Sequence, residues 1–157
     1  MKTIISIACI LLFSIAANGQ NNTDLTGKWK IVSFNVGIYH NYKTDSTSIP
    51  KELQESLKGN SDSLLSISLI TGIVQEFGNY YYIFLANRQF QETKDGIIKQ
   101  EGSYVIDNAK QQITLIVKDK FGGENRQILN FRMKGETLEF KVPSEDMDMV
   151  FDLEKSE

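Results

Sequence analysis

Leu25-Thr26-Gly27-Lys28-Trp29-Lys30-Ile31-Val32 is the stretch whose reading decides the fold. It carries the only Trp in the chain. Gly27 lets the backbone turn sharply. Trp29 then offers the largest apolar surface available, with one N–H that needs a partner once buried. The reading is that Trp29 closes the floor of a β-barrel built by the residues that follow.

Upstream of this stretch, Lys2 precedes an apolar run over residues 4–17, and Ala17-Asn18-Gly19 follows with small residues at its first and third positions. That order of charge, apolar run and small residues is the pattern of a secretory signal, with cleavage expected after Gly19. The run is short of the roughly 20 apolar residues a membrane-crossing helix needs. Cys9 sits inside the run, so cutting there as for a lipoprotein would split it. Residues 20–157 are then expected to form one barrel domain, in the periplasm or secreted, without a cysteine and without a transmembrane segment. A domain of that size buries enough core without disulfides. Removing Lys2 takes the net charge from −3 to −4, with 16 basic against 20 acidic residues. Nucleic-acid partners call for clustered basic charge, so none is expected.

Residues 25–36 read as a long first strand. Trp29, Ile31 and Ser33 share one face, and the apolar residues change face near Ser33, which implies a bulge. Residues 43–49 read as a polar loop. Pro50 suits the first position of a short helix over 50–58. Leu65, Leu69, Ile70, Ile73 and Phe77 fit one helical face over 63–77, and the length with Gly78 behind it favours helix over strand. Residues 50–77 are therefore a helical insert.

From Asn79 onward the pattern is β. Residues 80–86 are apolar on both faces, which suggests one face turned to the interior and the other covered by the 63–77 helix. Asn87-Arg88 is a tight connection, and Asp95-Gly96 is a hairpin turn signal. Gly102 inside the next strand marks a bulge or a close approach. Ile113, Leu115 and Val117 share a face. So do Leu129, Phe131 and Met133, and then Leu138, Phe140 and Val142. Met147, Met149, Phe151 and Leu153 alternate with acidic residues in the last strand. About eight strands at regular spacing, joined by short turns, give an all-β, up-and-down antiparallel barrel.

Three places resemble the lipocalin-like domains of secreted bacterial proteins, over residues 25–153. Leu25-Thr26-Gly27-Lys28-Trp29 is similar to that family's first-strand Gly-x-Trp. Residues 82–90 are similar to its aromatic strand, turn and strand. Gly102-Ser103-Tyr104-Val105-Ile106 is similar to its Gly-x-Tyr strand. The resemblance implies a lipocalin-like barrel and a small apolar or amphipathic ligand. Transport lipocalins also pair the Trp with an Arg on the last strand. Residues 147–153 contain no Arg, so either Arg126 or Arg132 serves in that place or nothing does.

The candidate lining of the barrel interior is Phe34, Tyr39, Tyr82, Phe84, Tyr104, Phe131, Met147 and Met149, with Gly27 and Trp29 as structural residues. Tyr in such a set supplies both an apolar body and a polar tip. His40 is the only His, and it reads as an exposed or rim residue. With no Gly-x-Ser-x-Gly elbow and no set of His or Cys ligands, neither a catalytic triad nor a zinc site is expected, and no cofactor. Glu145, Asp146 and Asp148 read as a solvated strand face. Asp45-Ser46-Thr47 and Asp62-Ser63-Leu64 resemble an acceptor pattern for O-glycosylation of exported proteins. The expectation is a non-enzymatic binding protein. The alternative is a solid-packed barrel that serves the cell envelope as a structural or protein-interaction module.

Overall fold

Strand follows strand around a barrel until the last pairs with the first. The computed structural model describes residues 23–57, 63–119, 121–144 and 148–157, apart from the side chains of 56, 57 and 63–66. Among these lie β1 (Gly27–Asn35), β2 (Tyr39–Asn41), β3 (Ser46–Ser48), α1 (Lys51–Leu57), α2 (Ser63–Phe77), β4 (Tyr80–Phe84), β5 (Gln89–Lys94), β6 (Ile97–Asp107), β7 (Gln112–Lys118), β8 (Glu124–Lys134), β9 (Thr137–Val142) and β10 (Met149–Ser156). The sheet order is β10-β9-β8-β7-β6-β5-β4-β1-β2-β3, and a further β10–β1 pairing closes it. Eight antiparallel strands thus form a closed all-β barrel, with β2 and β3 as an appended hairpin.

β1 shows how the sequence makes this closure. Its register against β10 shifts between Ile31 and Ser33. The shift puts two neighbours, Ser33 and Phe34, both inside, at 3% and 1% exposure. This is the bulge expected from the change of apolar face. Buried Ser33 finds its partner in Asp152, Oγ to Oδ2 at 2.7 Å. On its other edge, residues 27–30 pair with β4 and residues 33–35 pair with β2. The hairpin therefore continues the wall where β4 stops. Residues 43–49, expected as loop, contain β3, which pairs with β2 in register. All three of its residues, Ser46, Thr47 and Ser48, are exposed, so no apolar alternation announces it.

One end of the barrel, here the lower end, is closed by Leu25 and Trp29, both buried. Trp29 Nε1 donates to the Leu25 carbonyl at 2.7 Å, which satisfies the one polar group of the indole. The last strand runs on to Ser156, three residues past the expected end. That extension brings in Lys155, opposite Trp29 in register, with its ammonium 5.5 Å from the ring centre. Lys155 therefore takes the place for which Arg126 or Arg132 had been the candidates. Both arginines are exposed on β8.

The other, upper end carries α2. Ile73, Val74 and Phe77 pack on the core. The Phe77 ring lies 5.3 Å from Phe34 and 5.0 Å from Phe151. Tyr42 Oη donates to the Val74 carbonyl at 2.6 Å and pins the helix. Helical period therefore prevails over the alternation that 63–77 also permits. The outer face of β4 is not covered by this helix, as had been expected. Lys28 and Lys30 from β1 lie over the Tyr81 ring instead, at 4.3 and 5.9 Å. Long lysine stems can shield apolar surface while their charges stay in water.

Candidate functional site

The lower interior is filled by rings that meet across the barrel. Phe140 on β9 stands 5.3 Å from Tyr82 and 6.1 Å from Phe84, both on β4. Tyr104 on β6 meets Phe84 at 5.0 Å. Ile113, Leu115, Leu129, Leu138 and Leu153 complete this layer without measurable exposure. Of the sequence-derived lining residues, Phe34, Tyr82, Phe84, Tyr104 and Phe131 are buried here, and Met149 packs at the edge of the same cluster. Tyr39 is not inside. It is 39% exposed on the appended hairpin, where its hydroxyl accepts from Asn41. Met147 lies outside the described residues.

His40, expected at the rim, is buried at 2% exposure. Alternation on β2 turns it inward where Tyr39 turns out. Its ring packs 5.7 Å from Phe34 and 4.5 Å from Tyr42. Nδ1 and the Thr47 hydroxyl are 2.9 Å apart. It is part of the seat of α2. Asp148 precedes β10 and forms an ion pair with Lys141 at 2.6 Å. Glu145 and Asp146 lie outside the described residues, as does Asp62. Among the described residues no three His, Cys, Asp or Glu side chains converge as a metal site.

The polar centre of the interior is a residue the sequence reading passed over. Glu92 on β5 is buried at 6% exposure and stands opposite Tyr82 in register. Tyr80 Oη donates to Glu92 Oε2 at 2.6 Å. The Tyr80 and Tyr82 rings are 5.8 Å apart, and Phe77 flanks Tyr80 at 6.3 Å. Burial pushes the Glu92 carboxyl above its ordinary range, while the Tyr80 bond pulls it partly back. Burial first, and the Glu92 charge after it, hold the Tyr80 and Tyr82 phenols neutral well beyond their usual range. A carboxyl and a phenol among aromatic faces can anchor a polar group whose remainder is apolar. Glu92 lies two residues after inward-facing Phe90, so the period of a strand is the one signal that could have found it. Gln91, Thr93 and Lys94 around it make the strand read as solvent-facing.

Above this level the wall opens. β6 pairs with β7 from Ser103↔Ile116 to Asp107↔Gln112, and the ladder ends there although both strands run on. At the fork, a Cβ on Gly102 would lie 2.1 Å from the Ile116 carbonyl oxygen. This is the close approach that a Gly in mid-strand implies. On β8, Glu124 to Ile128 are all exposed, on both faces of the strand. The β5–β6 and β7–β8 hairpins therefore stand apart at the upper end. A groove of about 630 Å³ crosses the outer surface at the fork, lined by Gln89, Gln91, Glu101, Ser103, Lys118 and Glu124 among others.

These strands and their closure define an antiparallel eight-stranded β-barrel with an aromatic core and a helix at one end. Comparison with protein families gives no match, and comparison with curated proteins gives none. Among solved structures, a DUF4847 family protein from Bacteroides vulgatus is similar. Its TM-score is 0.47 at 14% identity, over 84% of this chain and 95% of that one. Among the described residues no helix is long and apolar enough to cross a membrane.

Proposed function

We propose that this protein is an exported, non-enzymatic, lipocalin-like binding module that takes a small amphipathic molecule at the upper end of its barrel. The observation that carries this reading is Glu92. It is a buried carboxyl held by Tyr80 among aromatic rings, on the side where the wall is open. A carboxyl perturbed by burial and bonded to a specific partner is a candidate site residue. The packed rings below leave the upper end as the place for a ligand, with Phe77, Tyr80 and Tyr82 against its apolar part and Glu92 against its polar end.

Native mass spectrometry of the protein recovered from its own host tests this directly. A small molecule retained by the native protein is expected, together with its loss in Tyr80→Phe and Glu92→Gln. The bare polypeptide mass, with no uptake of fluorescent fatty-acid or alkylamine probes, would overturn it.

A second reading is a solid-packed barrel that acts through its surface as an interaction module of the envelope. The ring contacts that fill the lower interior favour it. The same probes separate the two, because a surface module takes up neither.

A further inference from the structure

Glu92 is a buried acid that no cation answers. The buried polar side chains among the described residues are Ser33, His40, Glu92 and Thr93, with no lysine or arginine in their number. Ser33 is bonded to Asp152, and His40 to Thr47. The Glu92 carboxyl receives the Tyr80 hydroxyl at Oε2 and forms no ion pair among the described residues. A carboxylate offers about four acceptor positions. Tyr80 fills one.

The groups packed around this carboxyl give the local charge its sign. On β5 itself, Lys94 stands opposite Tyr80 in register, but its ammonium is held by Glu76 of α2 at 2.6 Å. Lys99 of β6 also acts on Glu76. Gln100, opposite Glu92 on β6, carries no charge. On β4, the charges of Glu92 and Glu76 both act on the Tyr80 phenol in the sense that keeps its proton, and Glu92 acts on Tyr82 in the same way. The field around the two phenols is therefore negative, even with Lys94 and Lys99 drawn to Glu76.

Aromatic faces select the same sign. Tyr80 lies between Tyr82, at 5.8 Å, and Phe77, at 6.3 Å. The face of such a ring is negative and attracts a cation within about 6 Å of its centre. Carboxyl and rings thus favour a positively charged head, and both disfavour a carboxylate.

We infer, resting on the binding reading above, that the ligand is a primary-amine amphiphile whose ammonium donates to Glu92 and to the Tyr80 oxygen, with its apolar chain along Phe77 and Tyr82. An ammonium has three donors and no acceptor, which suits a carboxylate and a phenol oxygen that both accept. Burial disfavours the charged form of Glu92 in the free protein. An arriving ammonium supplies the counter-charge that burial withholds, and Glu92 releases its proton to solvent as the pair forms. A fatty acid would instead set a second carboxylate beside the first, where like charge opposes it.

The test is isothermal titration calorimetry of the native protein with dodecylamine, dodecanol and dodecanoate, which share one chain and differ in the head. At neutral pH dodecylamine is expected to bind about tenfold or more tightly than dodecanol, and dodecanoate more weakly than either. Glu92→Gln should bring the amine down to the affinity of the alcohol and leave the alcohol little changed. The wild type gives a second readout that needs no variant. The amine stays charged up to a pH of about 10, so its advantage over the alcohol should grow as pH rises from 4.5 through the titration of Glu92. Dodecanoate or dodecanol binding as tightly as the amine overturns the inference and leaves the binding reading in place. So does an amine advantage that is flat with pH or survives in Glu92→Gln. Uptake of none of the three overturns both.

Discussion

Lys155 crosses directly over Gly27 and Trp29. Its Cε lies 2.9 Å from where a Cβ of Gly27 would be, and its ammonium is 5.5 Å from the Trp29 ring centre. Gly27 has φ +133°, a conformation that side chains disfavour. The missing side chain and the lysine stem are thus one packing arrangement, with the indole beneath it. Trp29→Ala is expected to lower stability by about 3–5 kcal/mol. Gly27→Ala should cost about 1–3 kcal/mol through backbone strain and displacement of Lys155. Lys155→Met keeps the stem and should cost less than about 1 kcal/mol. Urea unfolding of the three variants checks the order, and a Trp29→Ala loss under about 1 kcal/mol would remove the floor from its organising place.

Gly102 gives a sharper steric expectation. A methyl group there would collide with the Ile116 backbone oxygen and the Phe90 ring, neither of which is a flexible chain end. Gly102→Ala should destabilise by about 3 kcal/mol or more. Gly96→Ala, where nothing lies within 4 Å of the new atom but φ is +79°, should cost only about 1 kcal/mol. Thermal melts of the two proteins should rank them in that order.

Glu92 sets a pH dependence whose sign is fixed. Its carboxyl titrates above the ordinary value of 4.5 in the folded chain. Between those two values the folded state keeps a proton that the unfolded state has released. Stability from this group is therefore complete below about 4.5 and is lost as pH rises through the folded value. Glu92→Gln keeps an acceptor for Tyr80 and has no proton to lose. The variant should gain on the wild type as pH rises through that window and hold its advantage above it. Paired urea titrations from pH 4.5 to 8 show this, and two parallel curves would contradict it. Exposed acids such as Asp24 and Glu76 titrate below their usual range, but they do so in both proteins and cancel in the difference.

Tyr42 is the tether of α2. Burial pushes its phenol up to about 12. Its stabilisation is thus complete below pH 10 and is lost as pH climbs through 12. Tyr42→Phe removes the bond to Val74 and should cost about 1 kcal/mol at pH 7. Hydrogen exchange should quicken at Ile73 to Phe77 and leave β7 to β9 unchanged. Uniform quickening would mean that the helix is part of the barrel's cooperative unit.

The barrel was legible wherever one face met water and the other met the core. Leu138, Phe140 and Val142 alternate with polar neighbours, and Ile113 and Leu115 flank polar Thr114. Turn chemistry placed the breaks, as at Asp95-Gly96, where both residues take positive φ. The bulge in β1 could be read because Ser33 interrupts an apolar row. β3 could not, because Ser46, Thr47 and Ser48 are polar and exposed and show no apolar alternation. Lys155 escaped because a lysine near the C-terminus reads as solvated, and only the register against Trp29 turns it over the ring. Glu92 escaped for the same kind of reason. Its burial depends on which face β5 turns inward, and that follows from Phe90 meeting Phe84 across the ladder. His40 was misplaced because Tyr39, beside it, looked the better candidate for the interior. In each case the decisive fact is the partner across a strand ladder, which a residue's immediate neighbours do not reveal.

Closure through β1 and β10 has a consequence for how this chain reaches its native state. The ladder joins Lys28 to Ser156, so the barrel stays an open sheet until the final segment is in place. Contacts this far apart carry a large loop-closure entropy, and chains that depend on them fold slowly. Until then, β1 and β9 present bare edges that invite pairing with other chains. The C-terminal strand is the latch of the folding reaction. Loss of only its last few residues should reduce the yield of native protein far more than their few side-chain contacts suggest.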